Sequence, residues 1–204
     1  MASGAGAATR WWWVRHAPAP VAPGRLHGRH DGAADLSDGA AIASLAAALP
    51  EGACWLSSPL RRAAETAAAL AAAAGEVPAA TELEPDLAEQ DFGDWEGRPY
   101  DEIDRAFWDA PATNRPPGGE SFADVVDRVS ALVVRVSAAA EGDIVAVAHA
   151  GVIRAALTLA LGGPPGSALC FVIDPLSLTR LDVFPGATLA WRVVFTNRPA
   201  RSLP

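Results

Sequence analysis

Lysine is missing altogether: all 16 basic residues are arginine. Without a lysine ammonium, Schiff-base catalysis and phosphate binding through a P-loop lysine are excluded. A GC-rich coding bias accounts for this absence and for the alanine excess, so neither carries a functional message. Cysteine is scarce. Cys54 and Cys170 are too few for a disulfide framework, and each sits in a short apolar run, where a free thiol is expected to be buried as a small hydrophobe. No segment approaches the ~18 uninterrupted apolar residues of a membrane span. The N-terminal stretch lacks a basic start followed by an apolar core, so no secretory signal is expected and the reading is a soluble cytoplasmic protein. Positive charge is short as well. The net charge is −8 and the pI about 4.9, whereas a nucleic-acid binder shows a basic stripe or a positive domain. An acidic chain still binds an anion where its arginines converge, so their placement matters more than their number.

What is present is an ordinary globular composition, 50% hydrophobic and 20% charged over 204 residues. That suits a single domain spanning 1–204 with a core of useful size, residues 1–9 being expected as a disordered tail. The run Trp11-Trp12-Trp13-Val14-Arg15 reads as a strand that stops at His16 before the proline-rich APAPVAP. A long glycine-rich loop follows from Pro18 to Asp35, and loops of that length in a compact domain are usually functional or disordered. Ser37 is expected to cap a helix through Leu49, ended by Pro50. ACWLSS reads as a buried strand and Leu60–Ala74 as a helix, followed by a weak strand near Thr81–Leu83. Short helices are expected over Tyr100–Trp108. Ser121 caps a long amphipathic helix to about Ala140. DIVAVAH, residues 143–149, is the clearest central strand, and AGVIRAALTLAL continues it as a helix. ALCFVID, SLTRLDVF and TLAWRVVF read as closing strands. The alternation predicts a three-layer α/β/α sandwich with a mostly parallel central sheet and an antiparallel edge.

Ligands of such sheets bind beyond the carboxyl ends of the strands. Three strand ends carry unusual polar residues: Arg15-His16, Ser57-Ser58 ahead of Arg61-Arg62, and His149. Hydrolysis of a phosphate monoester asks for this set. Phosphoryl oxygens want rigid, always-charged donors, which arginine supplies. A neutral imidazole divides the reaction by accepting the phosphoryl group. A carboxylic acid must protonate the leaving oxygen and then help activate water. His16 is the candidate nucleophile, Arg15 and Arg62 the clamp, and His149 a further donor supported by the helix that starts at Ala150. Glu89 or Asp91 is the candidate acid.

Four ordered motifs make the resemblance specific. Val14-Arg15-His16, Ser57-Ser58-Pro59-Leu60-Arg61-Arg62-Ala63, Glu89 with Phe92-Gly93-Asp94-Trp95-Glu96-Gly97, and Val147-Ala148-His149-Ala150-Gly151-Val152-Ile153-Arg154 resemble the histidine phosphatase superfamily. That superfamily includes the cofactor-dependent phosphoglycerate mutases. The resemblance implies a metal-free, cofactor-free reaction with His16 phosphorylated, Arg15, Arg62 and His149 around the phosphate, and Glu89 as acid and base. Arg62 fits better than Arg61 because it directly precedes Ala63, with Thr66 completing the pattern. Ala17 replaces the usual glycine after the nucleophile, a costly change only where that position needs positive φ. Pro18, Ala19 and Pro20 replace polar residues, so further substrate contacts are assigned to Arg25, His27 and Gly28, together with Ala150. Phe92-Gly93-Asp94-Trp95-Glu96-Gly97 and Pro117-Gly118-Gly119-Glu120-Ser121-Phe122 look most like the small phosphatase branch, which contains the α-ribazole-5′-phosphate phosphatases of cobalamin synthesis. A mutase needs a second anion site, and the interval before His149 offers only Arg98, Arg105, Arg115 and a short Pro-Gly loop. The expected partner is a small phosphomonoester, the alternatives being a mutase or a non-catalytic phosphoester binder. A homodimer through the late edge strands is left open.

Plainer roles cover the remaining polar residues. Arg61 pairs with Glu65, Asp94 and Glu96 are turn residues facing solvent, and Glu120 and Ser121 are a loop residue and a helix cap, with a place at the pocket border as the alternative. His27-x-x-His30 lacks the three or four ligands of a zinc site. Ser57-Ser58 lacks the G-x-S-x-G elbow of a serine hydrolase. The three tryptophans are strand packing.

Overall fold

The opening aromatic run becomes strand β1, Thr9–Arg15. Alternation sends Trp11 and Trp13 to one face, where both are fully buried and their rings stack at 4.9 Å, and sends Val14 to the other. This is a computed structural model, and it describes residues 8–20, 24–76, 81–140, 142–186 and 188–202. The expected N-terminal tail therefore lies mostly outside the described residues, but Thr9 already belongs to β1.

The chain continues through α1 (Gly39–Ala47), β2 (Cys54–Ser57), α2 (Arg61–Ala73), β3 (Glu82–Leu83), α3 (Arg105–Asp109), α4 (Phe122–Ala139), β4 (Asp143–Ala148), α5 (Ala150–Leu161), β5 (Ser177–Phe184) and β6 (Ala190–Pro199). The six strands form one sheet in the order β3-β2-β4-β1-β5-β6. β1, β2, β3 and β4 are mutually parallel where they pair, and β5 and β6 add the antiparallel edge.

Strand β4 lies between β1 and β2 and is covered on both faces, which explains its unbroken apolar run. Ile144 and Ala146 join Val125, Val129, Ile153 and Leu157 of α4 and α5. Val145 and Val147 face Leu45 of α1 and Ala67 and Leu70 of α2. The two cores are the two helical layers of the sandwich. Helix α4 starts with a full capping box: the Ser121 hydroxyl accepts from the Asp124 amide, and the Asp124 carboxylate accepts from the Ser121 amide. No helix of the described residues is long and apolar enough to cross a membrane.

Three expectations need correction. Asp38, not Ser37, caps α1, its Oδ1 accepting from the Ala41 amide at 3.0 Å, while the Ser37 amide is held by Asp35. Cys54 and Cys170 are exposed. Each lies beside a turn rather than under a helix: Cys54 opens β2 after the turn at Glu51-Gly52, and Cys170 ends a run of turn residues. ALCFVID is not a strand. The position beside β1 is taken by antiparallel β5, and residues 168–174 instead cross the ends of the strands, burying Ala168 and Ile173.

Candidate active site

The carboxyl ends of β1, β2 and β4 meet at one end of the sheet, and a cavity of about 590 Å³ opens there. Arg15, His16, Arg62 and Glu89 line it together with Arg25, His27, Ala150 and Arg154.

His16 leaves β1 with its amide bonded to the Ala148 carbonyl at 3.0 Å, which fixes the backbone beneath the ring. Its Nδ1 lies 2.6 Å from the Ala17 carbonyl oxygen. A carbonyl only accepts, so Nδ1 holds the proton and Nε2 keeps its lone pair. The Arg62 Nε–H donates to that Nε2 at 3.2 Å, in agreement with this tautomer. Burial drives the His16 pKa down to about 3; Arg62 and Arg15 add to the fall, and the bond to Ala17 opposes it. The imidazole is therefore neutral and nucleophilic around pH 7. Ala17 causes no strain, because the only positive-φ residues other than glycine among those described are Leu176 and Asn197.

Arg62, in the first turn of α2, is almost completely buried. Besides His16 it reaches the His30 carbonyl at 2.6 Å through Nη1 and the Gly28 carbonyl at 2.7 Å through Nη2. Burial lowers its pKa, and Glu89 opposes that shift. Arg61 points away and pairs with Glu65 at 2.6 Å. Arg15 donates through Nη1 to the Ile173 carbonyl at 2.5 Å, while its buried Nε has no partner among the described residues.

Glu89 is pinned by two backbone amides, Gln90 on Oε1 at 3.0 Å and Gly151 on Oε2 at 3.1 Å. The second belongs to the first turn of α5, where the N-terminal amides favour an anion. A Cβ at Gly151 would lie 2.2 Å from Oε1, so only glycine admits the carboxylate there. Asp91 is turned elsewhere, accepting from the Gly93 amide and pairing with Arg29 at 3.4 Å.

His149 sits behind His16, fully buried, with ring centroids 4.9 Å apart, and is not on the cavity wall. Its Nε2 lies 2.8 Å from the Ser58 hydroxyl. Its Nδ1 is buried without a partner among the described residues. Burial holds its pKa well below the ordinary value, with His16, Arg62 and Arg15 adding to the shift.

The other substrate-binding candidates are spread out. Arg25 reaches the cavity but spends Nη1 on the Gly97 carbonyl at 2.7 Å. His27 and Ala150 are on the wall. Gly28 lies behind it, its carbonyl taken by Arg62 and its amide by Glu96 at 3.1 Å. The rings of His27 and His30 are 6.4 Å apart, and no group of three His, Cys, Asp or Glu placed to hold a metal occurs among the described residues.

Sequence reasoning missed four features. Glu96 does not face solvent: its carboxylate accepts from the amides of Gly28, Arg29 and Phe92, tying the long loop to the segment after Glu89. Glu120 does not border the cavity; it pairs with Arg128 and Arg29. Arg154, quoted within the fourth motif but given no role, lines the cavity; its position four residues after Ala150, one turn along the same helix face, is the available signal. Tyr100, Phe107 and Trp108 form an aromatic part of the wall, with Tyr100 and Trp108 substantially exposed and 6.0 Å apart.

The sequence profile of the histidine phosphatase superfamily (branch 1) matches residues 11–197. A glucosyl-3-phosphoglycerate phosphatase from Mycolicibacterium vanbaalenii is 35% identical over 170 residues, 72% of this chain and 74% of the relative. The structure of a mycobacterial glucosyl-3-phosphoglycerate phosphatase superposes with a TM-score of 0.82 at 27% identity, covering 94% of this chain and 99% of that one. A candidate α-ribazole-5′-P phosphatase from Escherichia coli gives a TM-score of 0.80 at 24% identity, over 97% of this chain and 98% of its own, a likeness of fold. The chain belongs to the histidine phosphatase superfamily and is a phosphoric monoester hydrolase.

Proposed function

We propose that the protein hydrolyses a small phosphomonoester through a phosphohistidine on His16, without a metal ion or cofactor, acting in the cytoplasm. The observation that carries this reading is the unprotonated His16 Nε2, held on the cavity wall beside Arg62, with Arg15 and Glu89 lining the same cavity.

In the first step the Nε2 lone pair forms a bond to phosphorus and the bond to the leaving oxygen breaks. Glu89 passes to that oxygen a proton taken up from the bound phosphate monoanion. In the second step water attacks phosphorus, the Glu89 carboxylate takes the proton, and the N–P bond breaks to release phosphate. Arg15 and Arg62 neutralise the equatorial oxygens throughout. His149 Nδ1, buried and without a partner among the described residues, is a polar atom that a phosphoryl group on His16 would satisfy.

For the substrate, the 35% identical relative favours glucosyl-3-phosphoglycerate. The exposed pair Tyr100 and Trp108 supports a second reading, α-ribazole 5′-phosphate of cobalamin synthesis, whose flat base would stack there. A mutase reading gains nothing from Arg98 or Arg105, neither of which reaches the cavity wall.

The test is hydrolysis of p-nitrophenyl phosphate in EDTA by wild type and His16→Ala, followed by kcat/KM for the two named esters. Activity in wild type alone is expected, with glucosyl-3-phosphoglycerate the better substrate. Equal activity in the variant contradicts the nucleophile. A preference for α-ribazole 5′-phosphate moves the substrate to the second reading.

A further inference from the structure

The cavity holds more positive charge than a phosphate ester consumes. Four guanidiniums line it, those of Arg15, Arg25, Arg62 and Arg154, against the single carboxylate of Glu89. Elsewhere most arginines are matched: Arg10, Arg61, Arg115, Arg128 and Arg135, for example, each pair with an acid, the exceptions among the described residues being Arg98, Arg105 and Arg198. None of the four cavity arginines has such a partner among the described residues. In a chain of net charge −8 this is local enrichment, not overall basicity.

Two of the four are held side by side by one piece of backbone. Arg15 Nη1 donates to the Ile173 carbonyl at 2.5 Å, and Arg154 Nε donates to the Phe171 carbonyl at 2.8 Å. These carbonyls are two residues apart on the segment that the sequence suggested as a strand and that instead crosses the sheet end. Burial lowers the Arg15 pKa, Glu89 opposes that shift, and the nearby Arg154 adds to it. Anchoring like charges together is unfavourable unless an anion arrives between them. Arg62 spends one N–H of each nitrogen on His16, His30 and Gly28, and its two remaining N–H groups are those assigned to the phosphoryl oxygens. Arg154 keeps Nη1 and Nη2 without an acceptor among the described residues, on a side chain only half-buried against the cavity. A guanidinium with both terminal nitrogens free is the group suited to a carboxylate fork.

We propose that Arg154 anchors a carboxylate of the substrate next to the phosphoryl group, so that the preferred substrates are phosphomonoesters carrying a second negative charge near the ester. The inference rests on the phosphatase reading and narrows its substrate class. Arg15 serves the phosphoryl oxygens, and the carbonyls of Ile173 and Phe171 set the spacing between the two anion positions.

A matched pair of probes isolates the carboxylate: 3-phosphoglycerate and glycerol 3-phosphate. Wild type is expected to favour 3-phosphoglycerate about 10–100-fold in kcat/KM, the worth of a charge-assisted bond. Arg154→Gln should collapse that ratio towards one, mainly through KM, and Arg154→Lys should restore part of it. A wild-type ratio near one, or equal losses on both esters in Arg154→Gln, overturns the inference. The ratio of dissociation constants, measured by calorimetry in a His16→Ala background, needs no turnover. A protein that hydrolyses neither ester yet keeps an Arg154-dependent binding preference contradicts the phosphatase reading alone. One that hydrolyses both equally well contradicts the carboxylate anchor alone.

Discussion

The two ends of the cavity are built differently. At the phosphate end, His16, Arg62 and Glu89 issue from a strand end, a helix start and a pinned turn, and each is bonded to fixed backbone. At the rim, Tyr100 and Trp108 lie on short helical turns, touch mainly other aromatics, and remain about half exposed. Rigid placement is what charge stabilisation and in-line attack demand. A rim of aromatic surface supplies area and selectivity, and tolerates change. On the proposed reading, the phosphoryl chemistry belongs to the first region, and substrate selection to the second and to Arg154.

The contrast predicts opposite kinetic signatures. Glu89→Gln keeps the shape but removes the proton, so kcat on an alkyl phosphate should fall about 10²–10³-fold. On p-nitrophenyl phosphate, whose leaving group needs little protonation, the loss should be under about tenfold. Equal losses would remove the acid role. Trp108→Ala at the rim should raise KM for aryl phosphates about 3–10-fold with kcat little altered, the worth of one stacked ring. A kcat loss as large as that of Glu89→Gln would erase the distinction between the two regions.

The smallest expected effect is on stability. The unfolded imidazole of His16 takes up a proton near pH 6.5, whereas the folded one resists until about 3. The unfolded state therefore binds more protons in that window, and stability present above pH 6.5 is lost as pH falls, by about 1.4 kcal/mol per unit for this group. Urea denaturation between pH 7 and 5.5 should show a drop about 1 kcal/mol smaller in His16→Ala than in wild type. An identical drop would contradict the buried neutral histidine.

Legibility in the sequence follows the same division. β4 and α5 were readable because an unbroken apolar run meets a helical pattern at His149, and short-range periodicity survives folding. That Arg15, His16, Arg62 and Glu89 would meet on one cavity was readable because each sits in a short local motif. Glu96 was not: its amide partners at Gly28 and Arg29 lie 68 and 67 residues away, and no local pattern encodes that bond. ALCFVID carries the apolar content of a strand, and composition cannot distinguish a strand from a segment that crosses strand ends with Ala168 and Ile173 pointing inward. That same segment supplies the carbonyls that orient Arg15 and Arg154, so the misread stretch is also the one that sets the anion spacing.

The central claim is a phosphoryl group carried on His16. Rapid quenching of wild type during turnover in EDTA, followed by peptide mass analysis under alkaline conditions that preserve phosphohistidine, measures it directly. The account predicts one phosphoryl group on the peptide containing His16, and none in His16→Ala. A phosphoryl group on His149 or on a carboxylate, or steady turnover with no phosphoenzyme at any time, would contradict it.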